Sequence, residues 1–326
     1  MRERDFAYAV ARIRALETKL ISDAQLDRMA DAPNLAEAVA LLGETEYAPA
    51  LAHLQEALQF ETALDAELQR VFRLVLQLSQ DAPEIRLLMQ RYDVENLKRI
   101  LKEARLGAAR LSRLGVWPPE WLLERMEAAE PELPEPYAGA VREARRLYQA
   151  SGDVQEIDRI LDRAWFAAGH QILGRGRSDL LREWWSAAVD LTNLRIWLRL
   201  RFIGLGFADF QRFFLEGGHW QPADFQAFGN QNDDQLLALL NRSRYSRLAG
   251  AGPLLLTSLS VLERESDNYL TELIGRAKYI ALGIEPLVGY WLAKETEVRS
   301  LRIILTGQSN RVPNSKIKER LRRAYT

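Results

Sequence analysis

Side chains able to do acid–base, nucleophilic or metal chemistry are few in this chain of 326 residues, and their spacing limits what they could do. Its three histidines, His53, His170 and His219, lie far apart, with no His-x3-His pair and no carboxylate pattern beside them, so neither a metal site nor a triad is predicted. Cysteine is absent, which removes disulfides, thiolate metal sites and thiol nucleophiles. Three aspartates, Asp65, Asp158 and Asp267, recur ahead of a related motif, and if they converged they would suit acid–base work in a hydrolase or transferase. Each also stands where a long amphipathic stretch opens, and there N-cap and helix-dipole roles are the first expectation. Gly174-Arg-Gly176-Arg177-Ser178 is glycine-rich and basic, but Gly-x4-Gly-Lys-Ser/Thr is absent and no strand precedes it, so no nucleotide site is predicted. Trp117, Trp121, Trp184, Trp185, Trp197 and Trp291 read as core or interface anchors before they read as ligand platforms. No cofactor and no small-molecule substrate follows from these residues.

The elements that carry them are helical. Apolar residues recur at helical spacing, as in Val71, Phe72, Val75 and Leu78, then Ile85, Leu88, Met89 and Tyr92, whereas alternating β-branched runs bounded by turns are missing. Asp81-Ala82-Pro83 reads as a cap followed by proline in a first helical turn, splitting that stretch into a hairpin. The predicted fold class is all-α. With 44 Lys and Arg against 45 Asp and Glu, the chain has no basic footprint for nucleic acid. The cluster Arg311, Lys316, Lys318, Arg320, Arg322 and Arg323 reads as a solvated face favoured by a helix dipole. The longest uncharged run, residues 248–262, holds two glycines and a proline and is shorter than the ~20 apolar residues a spanning helix needs. Met1 to Arg4 lead straight into a charged amphipathic pattern unlike a signal peptide, and a cytoplasmic location is expected.

The chain also repeats itself. Asp93-Val-Glu-Asn96-Leu97-Lys98 returns as Asp190-Leu-Thr-Asn193-Leu194-Arg195 and, more faintly, as Lys294-Glu-Thr-Glu297-Val298-Arg299. Asn96 and Asn193 are 97 residues apart, and Asn193 and Glu297 are 104 apart. A glycine follows each motif, Gly107, Gly204 and Gly307, where a left-handed residue is expected to end the helix. Upstream, Leu41-Leu42-Gly-Glu-Thr-Glu-Tyr47 matches Leu239-Leu240-Asn-Arg-Ser-Arg-Tyr245, with Leu133-Pro-Glu-Pro-Tyr137 as the degenerate middle version. Three markers in one order predict three related helical modules, residues 1–107, 108–204 and 205–326, packed about a pseudo-threefold axis, with the terminal helices completing one another's module. Ahead of the shared tyrosine the copies differ in charge, Glu44 and Glu46, then Glu135, then Arg242 and Arg244. A single asymmetric partner touching three similar modules would leave such a mark, so these five are the candidate interface.

Tyr8-Ala-Val-Ala-Arg12-Ile-Arg14-Ala-Leu-Glu17, Tyr92-Asp93-x2-Asn96-Leu97-Lys98 and Pro313-x3-Ile317-x3-Leu321-x3-Tyr325 together resemble, along the whole chain, the C subunits of archaeal and bacterial A/V-type ATP synthases, counterparts of the d subunit of the vacuolar proton pump. The third motif departs from the pattern, with Lys294 and Glu297 for Asp and Asn. The resemblance implies a closed funnel of three helical modules with no catalytic site of its own. It would lie at the cytoplasmic face of the membrane, join central-shaft subunits to the membrane proteolipid ring, and transmit torque for ATP synthesis or ion pumping. Its rival is a soluble all-helical scaffold that binds partner helices and has no link to ATP.

Overall fold

The structure, a computed structural model, describes residues 6–325 except 53, 55, 104, 105, 129 and 230, so His53 lies outside the described residues. Among the described residues all regular structure is helical. In chain order come α1 (Ala7–Glu17), α2 (Asp23–Ala30), α3 (Leu35–Leu42), α4 (Ala48–Leu51), α5 (Phe60–Leu78), α6 (Pro83–Lys102), α7 (Pro119–Glu127), α8 (Tyr137–Ser151) and α9 (Gln155–Arg175). There follow α10 (Asp179–Phe202), α11 (Phe207–Phe213), α12 (Pro222–Gly229), α13 (Asp233–Arg242), α14 (Ser246–Ala249), α15 (Leu254–Thr257), α16 (Leu259–Gly275), α17 (Glu285–Ser309) and α18 (Asn314–Lys318). The reason is visible in α5, whose Phe60, Ala63, Leu64, Leu68, Val71, Phe72 and Val75 are buried on one stripe of a 3.6-residue period. Helix starts are fixed locally: Ser22 with Gln25 and Asn232 with Gln235 form capping boxes, and Asn34 and Ser178 accept N–H bonds from the first turns of α3 and α10.

The described residues gather into two compact units. The first holds residues up to 80 together with those from 226 onward. Its axis is α17, buried along its length through Leu287, Val288, Trp291, Val298, Leu301, Ile304 and Leu305, and covered by α1, α2, α3, α5, α16 and α18. Arg14 of α1 donates to the carbonyls of Ala277 and Ile280 at 2.8 and 2.9 Å, Lys318 pairs with Asp31 at 2.6 Å, and the Ala324 N–H reaches Asp23 at 2.7 Å. The two end segments of the described chain therefore share one core.

The second unit, residues 81–225, is built on α9, which packs against α6, α8 and α10. Gly169 lets α9 and α10 meet at this point, since a Cβ there would stand 1.9 Å from the Trp185 ring. Trp165, Phe166, Trp184 and Trp185 stack around that point, and the Trp165 indole N–H donates to the Leu87 carbonyl at 2.9 Å. The unit boundaries fall at 80/81 and 225/226 rather than at the sequence-repeat boundaries 107 and 204. Repeats mark where a pattern restarts, whereas the compact units record which helices share a core, and α17 draws the first 80 residues to itself.

Two local expectations are corrected. Of the three glycines after the motif helices only Gly204 is left-handed, at φ 76°; Gly107 has φ −85°, and Gly307 lies inside α17, where Ile317 packs so closely that a Cβ would meet it at 2.7 Å. The left-handed residue that ends α17 is Arg311, at φ 55°. Asp65 and Asp267 stand inside α5 and α16 rather than at their caps, because those helices begin several residues earlier, at Phe60 and Leu259.

Candidate functional site: repeated helix-to-loop joints

Each long helix carrying the repeated motif is bolted to a loop by its buried polar residues. On α6, Asn96 meets the backbone of Ser112 twice, accepting its N–H and donating to its carbonyl, both at 2.8 Å. One turn earlier Asp93, fully buried, accepts the N–H groups of Val116 at 2.8 Å and Trp117 at 3.1 Å. On α10 the arrangement returns: Asn193 bonds the N–H and carbonyl of Leu215 at 2.9 and 2.8 Å, and Asp190 accepts the N–H groups of His219 and Trp220, both at 3.0 Å. A buried loop must have its backbone groups paired, and here side chains from one helix do that work. Both loops read Gly-x-Trp-x-Pro, Gly115 to Pro119 and Gly218 to Pro222, and each proline opens a helix, α7 or α12. The glycines are required because a Cβ would fall 1.9 Å from Asp93 Oδ1 or 2.0 Å from Asp190 Oδ1.

The third joint uses other chemistry. Glu297 of α17 keeps the part played by the asparagines, accepting the Ile21 N–H at 2.7 Å, so the loop it holds comes from the start of the chain. Its other carboxylate oxygen accepts the Tyr47 hydroxyl at 2.8 Å. Lys294, where the other motifs have aspartate, can accept no N–H; its ammonium, 2% exposed, donates to Glu297 at 2.7 Å, lies 3.4 Å from Glu67 and sits 4.9 Å from the Tyr47 ring centre. Glu67 is bound in turn by Arg70 at 2.7 Å. Two carboxylates and two cations thus balance, which is the condition for keeping charge in a core. Burial, with the Glu297 carboxylate beside it, pushes the Tyr47 hydroxyl well above its ordinary range.

Of the shared tyrosines, Tyr47 and Tyr137 meet these joints and Tyr245 packs on α16. Tyr47, Tyr137 and Tyr245 are all buried. Tyr137 donates to Gln90 at 3.2 Å and meets Trp117 edge-on, while Tyr245 meets Tyr269 at 5.3 Å between ring centres. Ahead of them Thr45 and Ser243 make the same turn: each hydroxyl donates to the carbonyl three residues back and accepts the N–H of the tyrosine.

The repeated aspartates are each held by their own cation. Asp65 pairs with Arg302 at 3.3 Å, Asp158 with Lys102 at 2.5 Å, and Asp267 with Arg299 at 2.6 Å and Arg322 at 3.0 Å. Burial alone would raise Asp267, but the two guanidiniums outweigh it and hold its carboxyl below the usual carboxylate value. These ion pairs join long helices to their neighbours and leave no shared acid–base centre in the first unit, where Asp65 and Asp267 face different arginines. Among the described residues no group of three or more His, Asp or Glu is placed to hold a metal, and no helix is long and apolar enough to cross a membrane.

Of the charged candidates, Glu44, Glu135, Arg242 and Arg244 are exposed and Glu46 is partly so. Glu44 pairs with Arg28, Glu46 with Lys19, and Glu135 with Arg142 while accepting the Gly139 N–H. His170 and His219 are exposed, and His219 serves its joint through its backbone. Sequence reasoning passed over the glycines of the two Gly-x-Trp-x-Pro loops and the Glu67–Lys294 pair. The loops carried a readable signal in that shared spelling, whereas Glu67 carried none, since its partner lies 227 residues away.

Comparison with known proteins places this architecture. The chain is 24% identical to the C subunit of the A-type ATP synthase of Methanocaldococcus jannaschii over 347 aligned positions, covering 97% of this chain and 86% of that one. It is 26% identical to the corresponding A-type ATP synthase C subunit of Thermococcus kodakarensis, covering 92% and 86%. Against the C subunit of the V-type sodium ATPase of Enterococcus hirae the identity is 26%, covering 96% and 97%. Residues 9–320 match the family described as ATP synthase (C/AC39) subunit, and with nearly the whole length matched the chain belongs to that family.

Proposed function

We propose that this chain is a non-catalytic rotor subunit of an A/V-type ATP synthase or ATPase, peripheral to the cytoplasmic face of the membrane, that couples the central shaft to the proteolipid ring and transmits torque. In this reading three helical modules, residues 1–107, 108–204 and 205–326, close about a pseudo-threefold axis into a funnel, the ends of the chain completing one module.

The observation that carries the proposal is the set of joints. A torque-bearing part needs stiffness more than chemistry, and close-packed helices transmit strain because they resist compression. α6 and α10 are each fixed to a loop through two polar side chains, and Glu297 ties α17 to the loop after α1. Family membership supports the rotary-ATPase setting.

The test is to tag the chain in its host, solubilise membranes in mild detergent and purify through the tag. Recovery of ATPase head, shaft and proteolipid ring in one particle is expected; recovery of the chain alone from the soluble fraction would favour a free helical scaffold. Within that particle Glu44, Glu46, Glu135, Arg242 and Arg244 are assigned to the shaft interface. Reversing charge with Arg242→Glu and Arg244→Glu is expected to weaken shaft binding about tenfold or more at low salt, and unchanged binding would remove those residues from the interface.

A further inference from the structure

We propose that one ordered water molecule is bound under the strap of residues 322–325, where it links the Ser300 hydroxyl to the Glu297 carboxylate of the third joint. The site is a cavity of about 10 Å³ inside the first compact unit. Thr296, Glu297 and Ser300 of α17 line it on one side and Ile21 on another, while Ala324 and Tyr325 close it. The strap is held from three elements. Arg323 N–H bonds Asn268 Oδ1 at 2.9 Å, Ala324 N–H bonds Asp23 at 2.7 Å, and the Tyr325 carbonyl accepts from Lys278. The Tyr325 ring then runs back along α17 until its hydroxyl lies over Gly289, where a Cβ would stand 2.6 Å from it. A fixed segment therefore roofs the cavity.

Ser300 is the residue that asks for a ligand. It is 1% exposed, and among the described residues its hydroxyl has no partner. A hydroxyl on a helix has a ready acceptor four residues back, and Thr296 uses it, donating to the Leu292 carbonyl at 2.9 Å. Ser300 does not bond the equivalent carbonyl of Thr296, and a buried hydroxyl left unpaired is costly. Glu297 offers the other end of the bridge. Its Oε1 already accepts from Tyr47 and Lys294, whereas Oε2 accepts only the Ile21 N–H, and Ile21 lines the same cavity. A carboxylate oxygen has two lone pairs, so Oε2 keeps one for a further donor, and the Thr296 hydroxyl, having donated, can still accept. Residues four apart on a helix stand about 5–6 Å from each other at Cβ, a gap that one water spans. A water that accepts from Ser300 and donates to Glu297 and Thr296 satisfies all three, and about 10 Å³ is the least space that admits one. A cation does not suit the charge. Arg70 and Lys294 already balance Glu67 and Glu297, so a further cation would bring unpaired charge into the core.

The site goes beyond the rotor reading and is tested on the purified full chain alone, so it can fail while that reading stands. Crystals of wild type and of Ser300→Ala are compared at a resolution that shows ordered water. Wild type should show a peak within about 3.2 Å of both Ser300 Oγ and Glu297 Oε2. In the variant that peak should lose about half its occupancy or more, because its donor is gone. In solution, water-oxygen relaxation dispersion should count about one long-lived water fewer in Ser300→Ala than in wild type, which decides the matter if either chain fails to crystallise. An empty cavity in wild type, a Ser300 hydroxyl turned onto the Thr296 carbonyl, or a peak unchanged in the variant would each overturn the assignment. A peak that strengthens when rubidium replaces sodium would put a cation there and overturn it as well.

Discussion

Burial pushes the Asp93 carboxyl up to about 7, although the backbone N–H groups of Trp117 and Val116 pull it down. An acid whose folded pKa lies above its ordinary value of 3.8 binds a proton more tightly in the folded state, so its contribution to stability is complete below about pH 4 and is lost as pH rises through about 7. Asp267, held low by Arg299 and Arg322, behaves oppositely and loses its contribution as pH falls through its depressed pKa. Urea unfolding of wild type and Asp93→Asn between pH 4 and 7.5 isolates the first effect: the stability of wild type relative to the variant should fall across that window, and a flat difference would mean that Asp93 does not titrate there. In the third joint the pairing is ionic. Lys294→Met and Glu297→Gln should each cost about 3–5 kcal/mol, because either unbalances the charges held in this core. The double variant should cost less than the two together, since the charges removed are each other's partners, and additive losses in the same unfolding assay would show that the pair is not a unit.

At the scale of elements, glycines separate joint from surface. Gly218→Ala should cost about 2 kcal/mol or more by driving a methyl group into Asp190, while Gly107→Ala, with φ −85° and nothing within 4 Å of its Cβ, should be neutral or stabilising by up to about 1 kcal/mol. Thermal melts of the two variants check this, and equal losses would contradict the geometry. The same contrast explains what could be read beforehand. All-helical structure was legible because helical periodicity is local, as was the proline at the start of α6, but Asp81 does not cap that helix: Ala82 is the N-cap, with no side-chain cap bond, and Asp81 pairs with Arg86. The joints were half legible. The spacing of Asn96, Asn193 and Glu297 announced a repeat, but their partners are backbone groups 16 and 22 residues on, or at Ile21 near the other end of the chain, and backbone donors leave no mark in a sequence. Asp65 and Asp267 were read as caps because the apolar pattern strengthens near them, whereas the helices start earlier and the two aspartates serve as side-on ion pairs.

At the scale of the molecule, the first compact unit is made of two stretches distant in sequence, whereas the second is continuous. A continuous unit with its own buried aromatic core should fold when cut free, so a fragment of residues 81–225 is expected to melt in one cooperative transition. A fragment of residues 226–326 should not, because α17 would lose α1, α2, α3 and α5 from its buried face and Glu297 would lose both Ile21 and Tyr47. Adding residues 1–80 as a separate chain should restore a cooperative melt at a temperature that rises with fragment concentration, as mass action requires of an assembled core. Glu297→Gln in the longer fragment should weaken that reassembly, since the carboxylate accepts the Ile21 N–H and the Tyr47 hydroxyl of the other piece. A cooperative melt of 226–326 alone would mean that α17 does not depend on the first 80 residues, and the closure of the chain upon itself at the third joint would lose its energetic meaning.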